Sequence, residues 1–174
     1  KITPSLRLRI IIFILFFSLP IMSVVGMGSE REKLLGYFPE SYESARAEFR
    51  KQIDRLKAGG YSVEAGYYLV PSAIDKDLTI DYLYLKPLEK PQKLLLLTSG
   101  VHGPEAPLGS ALEMAFLDQA LPLLERKNLG ILIIHSLNPY GHKYQRRPTE
   151  INIDLNRNFL ATHDQFNLRN ANYE

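Results

Sequence analysis

The fold class is inferred first from the stretch KLLLLTSG, residues 93–100. In it, four consecutive leucines are followed by two small polar residues and a glycine. A short, continuously apolar run of this kind is typical of a strand buried on both faces of a sheet. A second such run, LGILIIHSL at residues 129–137, ends at the turn NPYG, residues 138–141. Between the two runs, residues 107–127 have helical spacing, interrupted near Pro122. The predicted apolar face of this helix comprises Leu108, Ala111, Leu112, Ala115 and Phe116.

Two apolar strands that flank a helix form a βαβ unit, which predicts a parallel pair of strands and an α/β fold. Upstream, residues 41–56 have helical periodicity, and residues 61–70 and 78–85 have strand character. We therefore expect a mixed, largely parallel sheet flanked by helices. Ligand sites in such sheets lie beyond the carboxyl ends of the strands. His102 and Glu105 fall at one of these ends.

Composition and charge narrow the class of protein. The 174 residues suffice for one domain, and 45% hydrophobic with 23% charged residues is typical of a globular chain. The 21 basic residues are interspersed with 19 acidic ones, so the chain has no phosphate-binding patch and nucleic acid is not an expected partner. The chain has no cysteine, which excludes disulfides, thiol catalysis and cysteine-ligated zinc.

The N-terminus has the pattern of an export signal or a membrane anchor. Lys1, Arg7 and Arg9 precede residues 10–29, which carry no charge. A cleaved signal and a retained anchor remain alternatives, and a buried core helix is the third. Both the signal and the anchor would place the chain after Glu30 across the membrane. A cleaved signal predicts an exported protein, periplasmic or extracellular, and a retained anchor predicts attachment to the inner membrane. The predicted organisation is a signal or anchor at residues 1–29, a linker at 30–40 and the N-terminal part of a folded domain at 41–174.

His102 and Glu105 form an H-x-x-E pair just past the first apolar strand. Imidazole nitrogen and carboxylate oxygen both bind zinc, and a catalytic zinc site needs three protein ligands and an open position. Gly103 and Pro104 shape the turn between them, so both side chains can be directed at one point. The alternative is a surface turn in which Glu105 lies near the N-terminus of the next helix, where a carboxylate is favourable in any protein.

A second polar motif, INIDLNRNF at residues 151–159, alternates apolar and polar residues into a dense polar tip. Asn156 and Arg157 together make a good receptor for a carboxylate, because guanidinium donates a planar fork and the amide adds a donor. Upstream, Arg146 and Arg147 offer a fixed positive charge that can stabilise an oxyanion. The alternative for these arginines is a solvated loop. The tip comprises Asp154, Asn156, Arg157 and Asn158.

In their order, SGVHGPE, NPYG, RRPTE and IDLNRNF resemble the motifs of the zinc carboxypeptidase superfamily, over roughly residues 37–174. The resemblance implies that His102 and Glu105 are the first two ligands of a Zn²⁺ ion. It implies that Arg147, or its neighbour Arg146, polarises the scissile carbonyl. Asn156 and Arg157 match the pair that holds a terminal carboxylate. The implied reaction is hydrolysis of an amide bond next to that carboxylate, in a peptide or an N-acyl amino acid.

The sequence departs from the family's pattern after the IDLNRNF motif. In the family, the third zinc ligand and the general-base glutamate come later, and this chain ends at Glu174 before either. Of the other histidines, His135 is predicted to be packed inside a strand, His142 to be exposed, and His163 to lie in a polar loop. The expectation is an N-terminal fragment that binds zinc weakly or not at all and shows no turnover.

Two other functions compete with the carboxypeptidase-like one. A deacylase of N-acyl amino acids shares the H-x-x-E site, and the longer DLNRNF motif makes it the less favoured enzyme. A membrane-tethered, non-catalytic domain that binds carboxylates needs only the arginine and asparagine pair. The sequence leaves substrate preference and oligomeric state open.

Overall fold

The computed structural model of the chain describes residues 9–10 and 27–158. Its helices are α1 (Met27–Leu35), α2 (Tyr42–Ala58), α3 (Ala106–Ala115) and α4 (Pro139–Tyr144). Its strands are β1 (Arg9–Ile10), β2 (Val63–Leu69), β3 (Thr79–Leu85), β4 (Lys93–Thr98) and β5 (Leu129–His135). Short 3₁₀ turns occupy Gly103–Glu105, Leu121–Leu123 and Leu155–Arg157, and a π-helical turn occupies Phe116–Ala120.

The strands form one mixed sheet in the order β1-β4-β5-β3-β2. β4 and β5 are parallel, with Leu95 opposite Ile131, and α3 connects them as the βαβ pattern predicts. β3 lies antiparallel to β5, with Leu83 opposite Ile133, and β2 lies antiparallel to β3. The prediction of a mixed α/β fold is confirmed.

Helix α2 follows from capping and from the spacing of its apolar residues. Ser41 caps the N-terminus: its side chain accepts from the Ser44 backbone, while the Ser44 side chain accepts from the Ser41 backbone. The chain leaves the helix through Gly59 and then Gly60, whose φ of +81° favours glycine. The buried side follows the predicted spacing and comprises Tyr42, Ala45, Phe49, Ile53 and Leu56.

The main core lies between one face of the sheet and helices α2 and α3. Alternate residues of β3 and β5 point into it, which is the consequence of the two-residue period of a strand. The buried strand residues are Leu83, Leu85, Ile131 and Ile133, and the helical residues and turns opposite contribute Phe49, Ile53, Leu56, Met114, Leu117 and Leu121.

The other face of the sheet carries tyrosines that lie over glycines. A Cβ atom on Gly66 would come within 2.9 Å of the Tyr82 hydroxyl, and one on Gly130 within 2.7 Å of the Tyr84 hydroxyl. The Tyr82 ring also stacks on Tyr68, with centroids 5.8 Å apart. The glycines thus leave room for the rings, and the rings cover backbone that the glycines would leave open to water.

The prediction that β4 is buried on both faces is wrong for the described structure. Its four leucines, Leu94–Leu97, are all only half-buried. The reason is their position in the sheet, since among residues 9–10 and 27–158 the outer edge of β4 pairs only with Arg9 and Ile10, opposite Lys93 and Leu94. Apolar composition alone does not distinguish a central strand from one near an edge.

The apolar face predicted for the helix between the two apolar runs, which is α3, is also partly wrong. Leu108 and Leu112 are 52% and 57% exposed, whereas Ala111 and Met114 are buried. The buried side of α3 includes the polar Ser110 and Glu113, which hydropathy assigns to solvent. The helix stops at Ala115 rather than near residue 127, because the π-helical and 3₁₀ turns after it change its phase.

Helix α1 begins at Met27 and spans the predicted boundary between the apolar segment and the linker. Asp118 ties this region to the turn after α3: Lys33 pairs with it at 2.8 Å and the Tyr37 hydroxyl donates to it. These bonds, Lys33 first, hold the pKa of Asp118 well below its usual range. The predicted signal or anchor falls largely on residues 11–26, outside the described residues. Among those described, no helix has the length and hydropathy needed to span a membrane.

The packing of Phe49 predicts a large loss of stability on truncation. Its ring is fully buried and stacks on His135 with centroids 4.8 Å apart. We expect Phe49→Ala to lower the free energy of unfolding by about 3–5 kcal/mol through the cavity it leaves. Leu123→Ala is the control, since Leu123 is 84% exposed, and should change it by less than about 0.5 kcal/mol. Urea unfolding followed by circular dichroism measures both, and similar losses would contradict this account of the core.

Candidate metal centre

His102 lies at the end of the loop that leaves β4, and Glu105 closes the 3₁₀ turn after it. The His102 backbone is extended and its ring is almost fully buried, while the Glu105 side chain is 70% exposed. The turn brings His102 Nδ1 within 3.4 Å of Glu105 Oε2. The two side chains predicted as metal ligands therefore face each other at the carboxyl edge of the sheet.

Backbone contacts fix the loop that carries His102. The Leu137 amide donates to the Ser99 carbonyl at 2.9 Å, and the Asn138 amide donates to the Gly100 carbonyl at 2.8 Å. Gly100 has a φ of +65°, and a Cβ there would lie 2.9 Å from the Ser136 Cα atom. The ends of β4 and β5 are thus joined directly, and glycine is required at the crossing.

A second close approach joins the His102 turn to α4. The Gly103 amide donates to the Arg146 carbonyl at 3.1 Å. A Cβ on Gly103 would fall only 1.8 Å from the Gly141 carbonyl oxygen, and one on Gly141 would fall 2.4 Å from Asn138 Nδ2. The turns HGPE and NPYG therefore touch backbone to backbone, and neither glycine tolerates a side chain.

Asp154 is the partner of His102 that sequence reasoning did not assign. Its Oδ1 lies 3.1 Å from His102 Nε2 and also accepts from the Asn156 amide, while its Oδ2 accepts from Arg147 Nε at 3.0 Å. The bond with His102, then those with Arg147 and the Asn156 backbone, lower the pKa of Asp154 to about 2. The carboxylate is therefore ionised at neutral pH and accepts a hydrogen bond from His102 Nε2, while His102 Nδ1 faces Glu105.

The structure places the predicted arginines and asparagine around Asp154. Arg147 is half-exposed and bonded to it, while Arg157 is 3.8 Å away and largely exposed. Asn156 Nδ2 lies 3.3 Å from His102 Nε2. Arg146 has an exposed side chain, and it is its carbonyl that contacts the His102 turn.

Two donor groups of the site fit a zinc ion. Imidazole nitrogen and carboxylate oxygen, which His102 and Glu105 bring side by side, belong to the ligand set that zinc prefers. The orientation of His102 by Asp154 is the arrangement that zinc-binding histidines usually have. Within residues 27–158, however, no group of three or more His, Asp or Glu side chains is arranged to hold a metal ion. The described residues thus bring two donor groups together, one fewer than the three protein ligands of a catalytic zinc site.

The other histidines differ from expectation in one case. His135 is fully buried in β5, as predicted. The prediction that His142 is exposed is wrong, since it is 1% exposed: α4 turns its ring inward, edge-on to Tyr42 of α2. His163 lies outside the described residues.

Two polar residues with partners in the structure were given no role by sequence reasoning. Asp154 stands two positions before Asn156 in the same polar tip, and that spacing is a usable signal. Glu113, whose Oε2 lies 2.7 Å from His135 Nδ1, gives no signal in the sequence, because it occupies an ordinary helical position.

Comparison with known proteins adds a family. No curated protein matches the chain. The chain is similar to the crystal structure of a succinylglutamate desuccinylase/aspartoacylase from Rhodobacter sphaeroides, with 22% identity and a TM-score of 0.39 over 56% of this chain. It spans 30% of the length of that structure. The family described as "Protein of unknown function (DUF2817)" matches residues 38–174. Since this match covers more than half of the chain, the chain belongs to the DUF2817 family.

Proposed function

We propose that this chain contributes half of the active site of a zinc-dependent amide hydrolase, with His102 and Glu105 as two of the metal ligands. The observation that supports it is the arrangement of His102, whose Nε2 is bonded to Asp154 while Nδ1 faces Glu105 at 3.4 Å. A histidine that is nearly buried, bonded on one nitrogen to an ionised carboxylate and directed by the other at a second carboxylate is poised to bind a cation.

In this proposal each residue has a distinct task. A zinc ion, when bound, activates a water molecule and polarises the carbonyl of an amide. His102 and Glu105 hold it, and Asp154 fixes the tautomer of His102. Arg147 uses Nε for Asp154, and its two terminal nitrogens make no hydrogen bond to the described part of the chain. They remain able to donate to the carbonyl oxygen of a substrate.

The substrate class follows from the positive charge beside the turn. Arg157 is largely exposed, and Asn156 lies next to it. Together they offer the planar donors that suit a free carboxylate, so the proposed scissile bond lies next to one. Peptides with a free C-terminus and N-acyl amino acids both meet this requirement. An exported or membrane-anchored location, from the apolar N-terminal segment, belongs to the same proposal.

The first prediction concerns metal binding by the intact chain. Because only two ligands lie among the described residues, we expect weak zinc binding, seen as saturable shifts of the backbone amide resonances of residues 102–106 in ¹H–¹⁵N NMR. His102→Ala and Glu105→Ala should each abolish the saturable response, since one side chain alone binds zinc poorly. Glu125→Ala, which removes an exposed carboxylate elsewhere, should leave it unchanged. A zinc response that survives His102→Ala would refute the ligand assignment.

The second prediction concerns Asp154. Asp154→Asn removes the charge that selects the Nε2–H tautomer of His102, so the ring should populate both tautomers. Zinc affinity should fall about 10- to 100-fold, the usual loss when the partner of a metal-binding histidine is removed. Asp118→Asn is the matched control, because Asp118 is also an ion-paired carboxylate but contacts Lys33 and Arg55 instead. Equal effects of the two variants on His102 would show that Asp154 has no orienting role.

The third prediction tests the substrate end of the site. N-acetylphenylalanine should bind more tightly than its carboxamide, and Arg157→Ala should remove that preference while Arg31→Ala, on α1, keeps it. Titration calorimetry measures both. Carboxylate binding in a chain that shows no response to zinc would favour the non-catalytic binding domain.

A panel of peptides and N-acyl amino acids, assayed with zinc and with chelator, separates peptidase from deacylase. Turnover by this chain alone would contradict the requirement for a third ligand.

A further inference from the structure

The segment from Asn138 to Arg147 connects the two parts of the proposed site. The segment is bonded to the His102 turn, because the Gly103 amide donates to the Arg146 carbonyl at 3.1 Å. It is also bonded to itself: Asn138 Nδ2 donates to the Arg147 carbonyl at 3.3 Å, and the Arg146 amide donates to the Gly141 carbonyl. A shift of α4 would therefore move the His102 turn and Arg147 together.

His142 is the residue that anchors α4 in the protein interior. Its Nδ1 lies 2.6 Å from Ser136 Oγ, and its ring packs edge-on against Tyr42 at 5.5 Å. Ser136 has a φ of +62°, a conformation that a serine adopts only when its surroundings hold it there. The contacts that hold it are the bond to His142 and its own amide, which donates to Ser99 Oγ at 3.2 Å.

A buried carboxyl–imidazole pair lies beside this anchor. Glu113 of α3 and His135 of β5 are joined at 2.7 Å, and the His135 ring lies 6.1 Å from that of His142. Burial raises the pKa of Glu113, against the effect of its bond to His135. Neither His135 Nε2 nor His142 Nε2 has a hydrogen-bond partner in the described part of the chain. The unpaired atoms of such a buried cluster cost free energy, while its paired atoms restrict how the elements that carry them can move.

We propose that His142 is a positioning residue: through the Ser136 hydroxyl it locks the end of β5 and α4, and thereby orients the His102 turn and Arg147. The proposal rests on the proposed function for its purpose, although the locking itself does not depend on a metal. The atoms it uses are separate from the proposed ligands, and its effect reaches them through the Gly103 and Asn138 bonds.

The charge state of His142 gives the lock a pH dependence. Burial, and to a smaller extent His135, lower the pKa of His142 from 6.5 to about 4, against the opposing effect of Glu43. The other groups nearby are Tyr42 on α2 and Lys143 on α4, the latter paired with Glu43 and Asp75. With His142 buried and bonded to Ser136, the protein binds fewer protons than when this contact is open. The stability that the contact contributes is therefore complete above pH 6.5 and is lost as the pH falls toward 4.

The test uses His142→Phe in the intact chain, because phenylalanine keeps the ring packing and removes the bond to Ser136. The protection factor of the Gly103 amide in hydrogen exchange reports the contact between α4 and the His102 turn. We expect it to fall by up to about tenfold relative to the amides of β5, the usual effect of losing one hydrogen bond. Zinc affinity should fall by a similar factor.

Two further variants keep the test decisive. Ser136→Ala removes the same hydrogen bond without changing the histidine, and it serves if His142→Phe does not fold. Leu56→Ala is the control for general destabilisation, since Leu56 is buried at the far end of α2. It should lower all protection factors together and leave the ratio of Gly103 to β5 unchanged.

The outcomes separate the lock from the proposed function. In the wild type, the Gly103 protection ratio should decrease between pH 6.5 and pH 4, and His142→Phe should remove that dependence. A ratio unaffected by both His142→Phe and Ser136→Ala, or altered equally by Leu56→Ala, overturns the proposal. If the ratio responds as expected but the wild type shows no response to zinc, the lock stands and the metal function fails.

Discussion

The parallel pairing of β4 with β5 is the constraint on which the candidate site depends. Parallel strands end at the same edge of a sheet, so the loop after β4 and the loop after β5 leave the sheet side by side. Here the two loops are joined at once by the backbone bonds from Leu137 to Ser99 and from Asn138 to Gly100. A different register of β4 and β5 would separate the HGPE and NPYG turns.

Ion pairs and hydrogen bonds, rather than apolar packing, hold the segment after α4 against the His102 turn. The segment after α4 offers little apolar surface for burial, and Ile151 is largely exposed. Its position depends instead on Asp154, which is bonded to His102 and Arg147 and lies near Arg157. The Asp154 carboxylate thus joins its own loop to His102, 52 positions earlier in the sequence.

The features predicted from sequence are those determined locally. Helix α2 follows from the Ser41 cap and its apolar spacing, and β3 follows from its alternation, because each pattern reflects contacts of the element's own period. His142 was misjudged because its burial comes from Tyr42, a hundred positions away on another helix. Leu108 was misjudged because hydropathy ranks an exposed leucine and a buried one alike. In the site, the H-x-x-E pair was visible as a motif, whereas the orienting role of Asp154 depends on a contact that only the fold creates.

The contact between Gly103 and Gly141 has a consequence for the thermodynamics of binding. Loops that meet backbone to backbone, with no flexible side chain between them, have few alternative arrangements in the free protein. A ligand that binds at such a junction loses little of its binding free energy to ordering the loops. At Gly103 and Gly141 the absence of a side chain permits this close approach, so the entropic cost of organising the junction is met when the chain folds.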